Sequence, residues 1–129
     1  MKAVYMLIII AALSLIAISL FSQSDSLEGW YSYEEGKKLS EEKNREMFVF
    51  IGTPECKVCK VFKEFFRENE SAMEFIREKY IPVYVDATKE KPPVRVPVVP
   101  VFCTGFDGNL SCFSRSSPEE LMKLLEGVN

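Results

Sequence analysis

The feature that most constrains this chain is an uncharged apolar block of nineteen residues, Ala3 to Phe21 (AVYMLIIIAALSLIAISLF). As a helix rising about 1.5 Å per residue it reaches about 28 Å, close to the roughly 30 Å hydrocarbon thickness of a bilayer. No polar face interrupts it, as a surface helix of a soluble domain would require. A cleaved signal peptide is the rival, but its apolar core is usually about 7–15 residues and is followed by a small-x-small cleavage site. Here the run is longer, and the small residues Ala17 and Ser19 lie inside it. The length therefore favours an uncleaved anchor over 1–24, with the signal peptide as alternative, and one domain over 25–129. Lys2 precedes the block and Asp25 and Glu28 follow it. The positive-inside tendency then keeps the N-terminus in the cytoplasm and sends the domain outside, giving a single-pass cell-membrane protein. The signal-peptide alternative leads to the same extracytoplasmic side.

The 129 residues suffice for one modest domain. Setting Lys2 aside reduces the 16 basic residues to 15, against 19 acids. This balance is mildly acidic and mixed in sign, whereas a nucleic-acid surface needs a net basic stripe. No nucleic-acid partner is expected.

Along the domain, Tyr33–Asn44 is charged with Leu39 as its one strong aliphatic anchor, which predicts a largely exposed helix. Met47-Phe48-Val49-Phe50-Ile51 is continuously apolar, the pattern of a strand buried on both faces. Gly52-Thr53-Pro54 ends it, and Phe62, Phe65 and Phe66 then recur at helical spacing among charged residues. Ser71 and Glu74 have the spacing of a capping box, opening a second helix through Phe75, Ile76 and Tyr80. Val83-Tyr84-Val85 predicts a second buried strand and Lys89 to Val96 a loop. Val98–Cys103 and Leu110–Phe113 predict a hairpin around Asp107-Gly108. Ser117-Pro118-Glu119-Glu120 reads as a helix start, with Leu121, Leu124, Leu125 and Val128 as the buried stripe. Strands alternating with helices imply parallel pairing, and the hairpin adds an antiparallel edge. The expected fold is α/β, a mixed sheet flanked by helices.

Cys56-Lys57-Val58-Cys59 sits between the first strand and the first phenylalanine-rich helix. A bare Cys-x-x-Cys serves half a zinc site, a haem attachment or a redox pair, or arises by accident. Haem attachment requires histidine after the second cysteine, and Lys60 stands there. The chain has no histidine, so zinc would take all four cysteines, including Cys103 and Cys112. The redox chemistry gains from the position of the pair. At a strand-to-helix junction the first thiol faces unpaired backbone N–H groups and the positive end of the helix dipole, which favour the nucleophilic thiolate. Three residues later Cys59 returns to the same face. Cys56 is then the nucleophile and Cys59 the resolving thiol. This chemistry requires no cofactor and no metal.

These elements together resemble the thioredoxin-like superfamily, especially the membrane-bound or exported branch that includes the C-terminal domain of the transporter DsbD. The resemblance covers about Trp30 to Gly127. It rests on the apolar strand before Cys56, on Val83-Tyr84-Val85-Asp86, on Val99-Pro100 and on the Asp107-Gly108 turn. It implies a thioredoxin-like fold and a thiol–disulfide oxidoreductase acting on extracytoplasmic protein thiols and disulfides, recycled by a membrane redox partner. It further implies a cis-proline facing the redox pair. By position that is Pro100, with Val99 offering its backbone to an extended substrate segment; Pro97 is the competing candidate. The chain departs from cytoplasmic thioredoxins in having Glu55 where they carry tryptophan and Lys57-Val58 where they carry glycine-proline. It also has Phe50 in place of their buried acid, six residues before the first cysteine. The direction of electron flow stays open.

A two-residue loop at Asp107-Gly108 pairs residue 103 with 112 as a non-hydrogen-bonded pair, whose Cα atoms lie about 4.5 Å apart. This geometry predicts a Cys103–Cys112 disulfide as a structural staple. Two other classes of function stay open beside the oxidoreductase. One is a binding or assembly module on the same fold, and the other is a metal protein using all four cysteines.

Overall fold

The computed structural model describes residues 2–9 and 27–127. Residues 2–9 are helical; the rest of the apolar block, and with it the anchor or signal segment as a whole, lies outside the described residues. Among the described residues no helix is long and apolar enough to cross a membrane.

The domain runs α1 (Tyr33–Lys43), β1 (Met47–Gly52), α2 (Lys57–Glu68), α3 (Glu70–Lys79), β2 (Ile81–Asp86), β3 (Val101–Phe106), β4 (Asn109–Phe113) and α4 (Pro118–Leu125). The sheet order is β2-β1-β3-β4. β1 lies parallel to β2, with Val49 opposite Val83, and antiparallel to β3, with Phe50 opposite Phe102. Every residue of β1 is buried, as its unbroken apolarity requires. Its alternation feeds two cores. Phe48 and Phe50 face α2, α3 and α4, where they meet Phe62, Phe66, Ile76 and Leu121. Met47, Val49 and Ile51 face the opposite side with Val83, Val85 and Cys103, and Tyr33 and Leu39 of α1 pack there.

The expected order of elements holds, and the differences are local. The second helix is capped by Asn69, whose side chain accepts from the Ala72 N–H at 3.0 Å, so Ser71 lies inside α3 and forms no capping box. Asn69 also closes α2, its N–H donating to the Phe65 carbonyl. One residue thus ends one helix and starts the next. β3 begins at Val101 rather than Val98, because Pro97 and Pro100 lack the N–H that a ladder needs. In α4 the stripe is Leu121, Met122 and Leu125, whereas Leu124 is exposed and Val128 lies outside the described residues. Ser117 caps α4 through the Glu120 N–H, with Pro118 in the first turn, as its sequence predicts.

α1 approaches β2 closely because Gly36 faces it. A Cβ on Gly36 would lie 2.2 Å from Val83 Cγ2. The edge of β2 is covered in turn by Tyr31, which donates to the Pro82 carbonyl and accepts from the Tyr84 N–H. Trp30, partly buried, packs against the domain core, its ring 4.9 Å from that of Phe66. At the hairpin end, Tyr33 donates a hydrogen bond to Asp107, and Lys37 Nζ lies 3.3 Å from the same carboxylate. These contacts tie α1 to the β3–β4 turn.

Candidate functional site

Cys56 is the N-cap residue of α2. Its backbone is extended, its N–H donates to the Thr53 carbonyl at 3.3 Å, and its carbonyl accepts from the Lys60 N–H at 3.2 Å. Its Sγ accepts from the backbone N–H of Cys59 at 3.1 Å. The sulfur therefore takes the place usually held by a serine or aspartate oxygen, where it satisfies an orphan helix donor and sits at the positive end of the dipole.

The two sulfurs form a disulfide, with Cα atoms 5.2 Å apart. They differ in access: Cys56 is half-buried, whereas Cys59 is fully buried among Phe50, Phe62 and Phe102. That asymmetry suits an attacking thiol that meets a partner and a second thiol that meets only the first. Gly52, at the end of β1, makes room for the second. A Cβ there would stand 3.0 Å from Cys59 Sγ and 3.3 Å from Phe50 Cε1.

The Val99–Pro100 peptide bond is cis. Pro100 is buried, Val99 is half-buried, and the Pro100 carbonyl accepts from Ser114 Oγ at 2.9 Å. Pro100 shares the lining of one surface groove with Val58, between the two cysteines, while Val99 shares that of a second with Thr53. The Val99-Pro100 segment therefore borders the cysteine loop on both sides.

The position of the buried acid found in cytoplasmic thioredoxins is apolar here. Phe50 is fully buried, with its ring 5.1 Å from those of Tyr84 and Phe102. Two charged residues are buried nearby: Asp86, opposite Gly52 in the sheet, and Lys63, 2% exposed, whose ammonium lies 4.7 Å from the centre of the Tyr84 ring. In the sequence Lys63 is one of the charged residues among which Phe62, Phe65 and Phe66 recur. The signal was nevertheless present, because Cys59, Phe62, Lys63 and Phe66 follow the i, i+3, i+4, i+7 spacing of a buried stripe.

Cys103 and Cys112 are joined as well, with Cα atoms 4.0 Å apart, in the register 103↔112 set by Asp107-Gly108. Cys103 belongs to the core beneath α1, and Cys59 to the core on the opposite face of the sheet. The four sulfurs therefore cannot converge on one tetrahedral ion, and the four-cysteine metal site is ruled out by the sheet that separates them. The same separation blocks direct exchange between the two disulfides within one molecule.

A thioredoxin-like family model matches residues 29–104, more than half of the chain, and spans Cys56, Cys59, Val99 and Pro100. A protein of Archaeoglobus fulgidus described as uncharacterized is 76% identical over 126 residues, which cover 98% of this chain and 99% of that protein. The solution structure of a thioredoxin from Thermus thermophilus superposes with a TM-score of 0.59 over 76% of this chain and 85% of that one. At 19% identity it supports the fold alone. With its strand–CxxC–helix junction and cis-proline loop together at one end of the two inner strands, the chain belongs to the thioredoxin-like family.

Proposed function

We propose that this protein is a membrane-anchored, extracytoplasmic protein thiol–disulfide oxidoreductase. The observation that carries the proposal is the asymmetry of the pair: a half-exposed Cys56 at a helix N-terminus, bonded to a fully buried Cys59. In the reducing direction, the Cys56 thiolate attacks one sulfur of a partner disulfide. A Cys56–partner bond forms, the partner's S–S bond breaks, and the released partner thiolate takes a proton. Cys59 then attacks Cys56 Sγ, closing the intramolecular disulfide and releasing the second partner thiol. Two electrons and two protons pass to the partner, and oxidation of a partner dithiol is the same sequence reversed. Val99 offers its backbone to the partner segment beside the cis-proline. The apolar block over 3–21 supplies the tether, and the domain faces the oxidising side, where a membrane redox partner resets the pair.

The test is Cys59→Ser in the full-length chain, expressed in membranes and quenched with acid. Mixed disulfides on Cys56 that vanish on reduction, and are absent from Cys56→Ser, are the expected result. The absence of trapped species, together with no turnover of a protein disulfide by the native chain, overturns the proposal. Protease added outside sealed cells should remove the domain; full protection would contradict the orientation.

A further inference from the structure

The two grooves that border the redox pair share a charge character at odds with the chain as a whole. One is lined by Val58, Pro100 and Leu124 with Arg115 and Lys123. The other runs along the proline-rich segment before β3 and is lined by Thr53, Val98 and Val99 with Lys91 and Arg95. Four cations thus flank the site, although the net charge of the chain is −3. Glu120 is the one acid among the residues lining the two grooves, and it accepts a hydrogen bond from Ser116 Oγ at 3.1 Å. Among the described residues none of the four cations is ion-paired. Arg115 donates one N–H to the Ser114 carbonyl and lies over the Phe113 ring, which fixes its guanidinium and leaves further donors for a ligand. Lys91, Arg95 and Lys123 are exposed. Between these charges the floor is apolar, with Val98 62% exposed and Val58 and Leu124 each 42% exposed.

We infer that the partner is an extended acidic polypeptide segment, with aspartate or glutamate on both sides of the cysteine it exchanges. This rests on the oxidoreductase reading and adds the substrate class. A segment lying across Val99-Pro100 with its cysteine at Cys56 extends into both grooves, so its flanking residues meet Lys91 and Arg95 on one side and Arg115 and Lys123 on the other. Close oppositely charged surfaces accelerate encounter and suppress partners of the wrong sign.

The experiment uses the full-length chain, reduced, and three synthetic peptide disulfides that differ only in the residues flanking cysteine: glutamate, glutamine or lysine. The rate of oxidation of Cys56–Cys59 is followed by acid quench and mass analysis. The glutamate peptide should react about tenfold faster than the lysine peptide at low ionic strength, and the ratio should approach one near about 1 M salt. In Lys91→Glu/Arg95→Glu and in Arg115→Glu/Lys123→Glu the ratio should fall, and with all four changes it should invert. Equal rates for the three peptides, or a ratio untouched by the charge reversals, overturn the acidic-partner inference and leave the oxidoreductase standing. Failure to react with any of the three, the glutamine peptide included, overturns both.

Discussion

The sulfur of Cys56 accepts the backbone N–H of Cys59, so the atom that caps α2 is also the atom a partner must reach. A helix N-terminus favours negative charge, and Cys59 has no such access to water. In the reduced protein Cys56 should therefore ionise first and react first. Alkylation with limiting iodoacetamide at neutral pH, mapped by mass, should modify Cys56 at least about tenfold faster than Cys59. Equal labelling would contradict the asymmetry.

Gly52 is the glycine that lies against the redox pair. Its Cβ would press on Cys59 Sγ at 3.0 Å and Phe50 Cε1 at 3.3 Å, and both side chains are fully buried. Gly52→Ala should destabilise the oxidised domain by about 1–3 kcal/mol, the usual cost of overpacking a filled core. Urea unfolding measures it, and an unchanged midpoint would show that the loop yields more easily than its packing implies.

Lys63 stands one turn beyond Cys59 on the same buried face of α2. An ammonium on this buried face would stabilise a thiolate close to it more than it would in water. Lys63→Met should lengthen the life of the Cys56 mixed disulfide about tenfold at neutral pH and move its resolution profile to higher pH. Lys63→Arg should recover most of the rate. A profile that does not move would reduce Lys63 to packing.

Asp107 supplies a pH dependence whose sign is fixed. The hydrogen bond from Tyr33, and then the contact with Lys37, hold its carboxyl below the usual value of 3.8. A folded-state value below the unfolded one contributes stability at higher pH and loses it as the pH falls through the depressed value. Asp107→Asn should therefore lower the urea midpoint at pH about 6, and the gap to the native chain should narrow as the pH falls below the ordinary carboxylate range. A constant gap across this range would contradict it.

Where local chemistry decides structure, the sequence was readable. The two-residue Asp107-Gly108 turn sets the hairpin register, and with it the Cys103–Cys112 pairing. The unbroken apolarity of β1 marks it as the central strand, and Ser117-Pro118 starts α4 at the expected residue. What escaped depends on neighbours distant in the chain. Gly36 and Gly52 look like ordinary punctuation until Val83 and Cys59 are brought against them. Ser71 has capping-box spacing, but Asn69 arrives first and serves both helices. Lys63 is hidden by a habit of assigning lysine to solvent, although its spacing places it on the buried stripe. The groove that carries Arg95 joins Thr53 to the proline-rich segment, the one that carries Arg115 joins Val58 to Pro100 and to the residues around α4, and no local pattern announces either.

The most direct test of the central claim is a redox titration of the full-length chain, with both disulfides mapped at each potential. Cys56–Cys59 should behave as a two-electron couple between roughly −120 and −270 mV, the range of disulfide-exchanging proteins, while Cys103–Cys112 stays oxidised throughout. A Cys56–Cys59 bond that resists reduction to below about −300 mV is a structural disulfide, and that result would contradict the account.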